Sequence, residues 1–297
     1  MAAYLAELKN LIDGMISGDQ AKADESVRRL YERSDQDAEY LAQLNPIWDA
    51  GKWKDIFYRY NRDLVAEIIA IRSGDFDEAL NIFESLMDIS YIGGDYYAEG
   101  FIHLLPEDQP QIPIAYLNMI KDLRDIGTER SYLTRFYMVA KVVGLFGDIN
   151  VTQKLFKLMS RLKEKFELVM GTEAAEELLR LLSMYVIRLE GLIDAILSGD
   201  EANIVAKTGE VDQFTGELAA FLGSINPYWD EAKWNELFTR SAGLVVEQSY
   251  NFQRKEDVEA MKNFERFLYS SLAIDDYFAL GLYQYTQDPG RTGMIIQ

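Results

Sequence analysis

Apolar residues recur through this chain at helical spacing, and the stripes they form predict helices almost end to end. Leu5, Leu8, Ile12 and Met15 share one face of a first helix, about Ala3 to Ile16. Ser17-Gly18-Asp19 closes it, with glycine for the left-handed position after a helix and Asp as the next cap. A heavily charged second helix, about Gln20 to Leu44, turns Val27, Leu30, Tyr31 and Leu41 inward. A third carries Trp53, Ile56, Phe57, Tyr60, Leu64, Ile68 and Ile71 on one stripe and stops at Ser73-Gly74-Asp75. The fourth, about Phe76 to Leu104, holds Leu80, Phe83, Met87 and Tyr91, with a bend expected at Gly93-Gly94.

Prolines crowd between Leu105 and Pro113, the expected linker. Beyond it, Ile114–Gly144 and Val151–Met170 read as two helices joined at Phe146-Gly147-Asp148. A further helix, capped by Thr172, runs to Leu197 and ends in Ser198-Gly199-Asp200. That tripeptide lies 181 positions after Ser17-Gly18-Asp19, and the offset then holds without a gap for about ninety residues. Phe83 meets Phe264, Asp95-Tyr96 meets Asp276-Tyr277, and Gly100 meets Gly281. Chance does not keep Gly, Pro and aromatic positions in step over such a length, so one helical module has been duplicated. One turn departs: Arg254-Lys255-Glu256 stands where the first copy has Ser73-Gly74-Asp75, which predicts a tighter, longer or partly helical connection.

The best-kept stretch is a helix entrance. Between Asn45–Arg59 and its second copy, eight of fifteen residues are identical. Asn45, Pro46, Trp48, Asp49 and Trp53 recur as Asn226, Pro227, Trp229, Asp230 and Trp234. Each Asp suits the N-cap, and the two Trp residues of each copy fall at N′ and N4, the positions of a hydrophobic staple. All four tryptophans are spent on this device. These residues are therefore read as structural, not reactive.

The expected architecture is all-α: two pseudo-repeated antiparallel four-helix bundles with a central helical hairpin. The boundaries expected are 1–106 for the first repeat, 107–116 for the Pro-rich linker and 117–170 for the hairpin. The second repeat follows at 171–286 and an irregular tail at 287–297, whose Met294-Ile295-Ile296 is apolar enough to dock. The hairpin stands between the repeats, belongs to the second, or is shared by both.

Composition narrows the function. A net charge of −19 argues against nucleic acid, whose phosphates would be repelled. From Leu117 to Glu190 twelve Lys/Arg face ten Asp/Glu, so the acidity sits in the flanking repeats. The absence of cysteine removes disulfides and thiolate chemistry. With no signal-peptide pattern and no apolar run of about twenty residues, the sequence is expected to be cytoplasmic without a membrane span. His103 is the single histidine, so neither a histidine-based metal site nor a catalytic triad is expected. Carboxylates around Asp95, Asp275 and Asp276 are read as helix caps. No catalytic residue, metal or cofactor is assigned.

The repeat resembles an uncharacterised family of bacterial helical-bundle proteins, common in spore-formers, with an Asn-Pro-Tyr-Trp helix entrance and a Gly-Asp turn. Its upstream hairpin carries a Glu-His-x-x-Trp-Thr-Arg pattern, matched here by Glu129 to Arg135 with Arg130 for the histidine and Leu133 for the tryptophan. A second histidine of that pattern corresponds to Tyr185. The resemblance implies a fold and no activity.

Arg130, Thr134, Arg135 and Tyr185 remain the candidate ligand residues: an arginine drawn inward there either pairs with a carboxylate or holds an anionic small molecule. Tyr91, Tyr96, Tyr97, Tyr277 and Phe278 either close the bundle ends or line a pocket. The leading expectation is a non-enzymatic structural or protein-interaction protein that binds itself or another protein. A helical-bundle binder of a small ligand comes second, and a carboxylate-based enzyme third.

Overall fold

A computed structural model describes residues 2–105, 113–144 and 148–288. Among them there is no strand, and the protein is all-α. The chain forms two compact units, divided between Pro110 and Gln111. The first holds α1 (Ala2–Ser17), α2 (Gln20–Leu44), α3 (Ala50–Ser73) and α4 (Phe76–Ile102), each packed on the next. The second holds α5 (Ile114–Val143), α6 (Asp148–Met170), α7 (Thr172–Ser198), α8 (Glu201–Ile225), α9 (Glu231–Gln253) and α10 (Asp257–Gln287).

The duplication is visible in the helix bounds. Adding 181 to the first residues of α2, α3 and α4 gives the first residues of α8, α9 and α10. α1 corresponds to the C-terminal part of α7. The hairpin α5–α6 is an integral part of the second unit: α5 lies along α10, α6 packs on α7, and α5 also meets α7 and α9. The helices continue through the expected weak points, α4 across Gly93-Gly94 and α10 to Gln287. Residues 106–112, the joint at Phe146-Gly147 and the tail from 289, with Met294-Ile295-Ile296, lie outside the described residues.

Local chemistry fixes the turns. Gly18, Gly74, Gly144, Gly171 and Gly199 all have positive φ. Asp19, Asp75 and Asp200 each accept a backbone N–H of the first turn they cap, worth about 1 kcal/mol apiece. Thr172 is not a cap: Gly171 holds that position, and the Thr172 hydroxyl donates to Glu167 at 2.6 Å. The turn without glycine is neither tighter nor longer. Lys255 takes φ 59 at the place of Gly74, and Glu256 N–H still reaches back to Asn251 carbonyl at 2.8 Å, as Asp75 does to Ala70 at 2.9 Å.

The repeated entrance explains its own residues. Asn45 ends α2, fully buried; its amide donates to Gly100 carbonyl on α4 at 2.9 Å, and its side-chain oxygen accepts Ile47 N–H at 3.0 Å. Trp48 Nε1 donates to Tyr96 carbonyl at 3.0 Å. The Tyr96 hydroxyl accepts Asp49 N–H at 2.5 Å and donates to Ile47 carbonyl at 3.2 Å. Asp49 then caps α3 through Lys52 N–H at 2.8 Å, and Trp48 meets Trp53 edge-to-face. Asn226, Trp229, Tyr277 and Asp230 repeat these bonds at 3.0, 3.2, 2.7 and 2.7 Å. Any Cβ on Gly100 or Gly281 would collide with the indole of Trp48 or Trp229. The motif is a clamp that ties each loop to the last helix of its repeat.

Candidate functional site

Three of the four candidate ligand residues meet. Arg130 and Thr134 of α5 and Tyr185 of α7 line a cavity of about 50 Å³ with Tyr137, Met159, Ser241 and Ile274. Space for little more than a water or two excludes a drug-sized ligand. Arg135 lies elsewhere, its guanidinium 5.2 and 5.0 Å from the ring centres of Phe252 and Phe264.

The partner of Arg130 is Asp275 of α10, 3.9 Å away. Asp275 is buried, one of its oxygens lacks a hydrogen bond, and burial pushes its carboxyl up to about 7 against the pull of Arg130. Burial also raises the Tyr185 hydroxyl to about 12. A Cβ on Gly127 of α5 would strike the Asp275 carboxylate, so that glycine lets the two helices close. Ser131 donates to Ser271 at 2.8 Å one turn further on, and Arg124 pairs with Asp276 at 2.6 Å. This cluster docks α5 on α10. It is an inter-helix lock more than a reaction centre.

The same place in the first repeat looks different. A cleft of about 650 Å³ opens among Tyr4, Tyr40, Trp53, Phe57, Tyr60, Gly93 and Tyr97. Tyr4, Asp37, Phe57, Tyr60 and Gly93 of its wall stand 181 positions before Tyr185, Leu218, Phe238, Ser241 and Ile274 of the small cavity. The two spaces are thus repeat-related. In the second unit α5 and α6 fill the space: α6 contributes Phe166, fully buried and stacked on Trp229. In the first unit Tyr97 and Phe101 cover Trp48 from their own helix.

The consequence shows on α4. Ser90, Gly94, Tyr97, Ala98 and Phe101 form one helical stripe; their counterparts Ser271, Asp275, Phe278, Ala279 and Leu282 are all buried. Tyr97 is 40% exposed where Phe278 is 6%, and Phe101 is 49% exposed where Leu282 is 2%. In the cleft Tyr4 donates to Asn61 at 2.8 Å and Asn61 to Ser34 at 2.8 Å, while the buried Trp53 indole N–H has no hydrogen-bond partner. What remains on offer is chiefly aromatic surface.

The sequence pointed to Arg130, Thr134 and Arg135 because they lie among apolar neighbours on one helix, and to Tyr185 through the resemblance. It missed Gly127 and Phe166 as docking residues; of the aromatics expected to close a bundle end or line a pocket, Tyr97 lines the cleft. The available signal was the hairpin that stands directly before the second copy. Among the described residues, no group of three His, Asp or Glu could hold a metal ion, and no helix is long and apolar enough to cross a membrane. His103 sits at the C-cap of α4. No family model, curated protein or solved structure matches the chain.

Proposed function

We propose that this chain is a non-enzymatic protein-interaction module whose first unit binds another polypeptide through the exposed face of α4. The observation that carries this reading is the stripe from Ser90 to Phe101: it is left open in one repeat while its counterpart is buried under two helices in the other. An apolar helix face of that kind draws a partner, since burying each aromatic ring removes about 150–250 Å² from water.

A small-ligand binder is the second reading, favoured by a cleft volume within the roughly 300–1,000 Å³ of ligand pockets. The stripe's extension along α4 to Phe101, beyond the cleft wall, weighs towards a polypeptide. Native mass spectrometry of the chain purified from its source, with light scattering, separates the two. The interaction reading expects recovery with a second polypeptide that is lost in Tyr97→Asp/Phe101→Asp, with the fold intact. A single chain carrying a small molecule in the cleft would overturn it.

A further inference from the structure

The second unit shows what a covered face looks like, and the charges say what could cover the open one. Along α10 lies α5, with Gly127 over Asp275, Ser131 bonded to Ser271 and Arg124 paired with Asp276. The segment 114–170 carries ten Lys/Arg against six Asp/Glu. Residues 1–110 carry twenty-two Asp/Glu against ten Lys/Arg, and α4 itself has six acidic residues and no Lys or Arg. The uncovered helix is therefore the most one-sided in charge, while the segment covering its counterpart is basic.

The point of close approach has also changed sides. Where the second unit has Asp275 on the receiving helix and Gly127 on the incoming one, the first has Gly93 and Gly94 on the receiving helix. Two glycines in a helix interior cost roughly 1 kcal/mol each against alanine. Gly94 is exposed, and a Cβ there would meet nothing within 4 Å. Packing within its own unit does not require that glycine; close approach by an outside helix would.

Resting on the interaction reading above, we propose that α4 of the first unit is the receptor for a basic amphipathic helix of a partner protein, laid along α4 over Gly94 as α5 lies along α10. A second copy of the chain fits less well. Two first units meeting face to face would bring like charge within about 8 Å, the screening length at physiological salt. In the second copy α5 is already committed, with Leu123, Ile126 and Leu133 buried in its own unit.

The test uses the full chain and a labelled synthetic peptide of residues 114–143, followed by fluorescence anisotropy, beside a version with its five Lys/Arg changed to Glu. The basic peptide should bind, weaken several-fold as salt rises, and exceed the acidic version at least tenfold. Gly94→Leu should weaken binding at least tenfold while its unfolding midpoint stays level or rises, which separates a blocked groove from a failed fold. Equal binding of both peptides, no binding of either, or binding unaffected by Gly94→Leu would overturn the proposal. If instead the full chain dimerises and Gly94→Leu abolishes the dimer, the basic helix is wrong and the interaction reading survives. A source-purified single chain with a small molecule in the cleft would remove both.

Discussion

At the scale of single residues, the clamp at each helix entrance makes the sharpest demand. Gly100 and Gly281 leave room for an indole whose N–H must reach a helix carbonyl, so one methyl group displaces the ring and its bond together. Gly100→Ala and Gly281→Ala should each cost about 2–4 kcal/mol in denaturant unfolding, against the gain that alanine brings elsewhere in a helix. Lys255 offers the opposite case. Its left-handed backbone costs an L-residue about 1 kcal/mol that glycine avoids, so Lys255→Gly should stabilise by about 0.5–1 kcal/mol in the same measurement.

The Arg130–Asp275 pair carries a pH signature. Because burial raises the Asp275 carboxyl from its ordinary value of 3.8 to about 7, the folded chain binds more protons than the unfolded one between those values. Stability therefore falls as pH rises through that window and stays low above it. Replacing Arg130 with Met removes the nearest cation and leaves a buried carboxylate alone. Arg130→Met should destabilise by about 3 kcal/mol at pH 8 and by clearly less at pH 5, where Asp275 is protonated, in unfolding curves taken at both.

At the scale of elements, the helices and their ends could be read from the sequence because they rest on local rules. Period-3.6 stripes, Gly-Asp turns and the Asp49 cap of the Asn-Pro-x-Trp entrance act within a few residues, and the structure places α2, α3 and α4 close to the expected bounds. Lys255 was illegible for a related reason: nothing local announces a lysine in a glycine's conformation when the rest of the turn is kept. Contacts distant in sequence were hidden as well. Arg130 advertised a need for a carboxylate, but Asp275 lies 145 positions away among many acidic residues, and only the register of α5 on α10 selects it. Phe166 looks like one more apolar position on α6 until it is found stacked on Trp229.

At the scale of the molecule, the repeats are equal in sequence register and unequal in burial. A hairpin inserted before the second copy completes that unit, turning a repeat-related cleft of about 650 Å³ into a cavity of about 50 Å³. The first unit keeps the same clamp and the same cleft wall without that cover. Its α4 is acidic and its aromatic stripe stays exposed where the counterpart on α10 is buried.

Carbene footprinting of the free full-length chain tests this most directly, because the label reports side-chain accessibility residue by residue. Tyr97, Ala98 and Phe101 should label heavily while Phe278, Ala279 and Leu282 stay nearly dark. Equal labelling of the two triplets would contradict the account, for the two helix faces would then be covered alike.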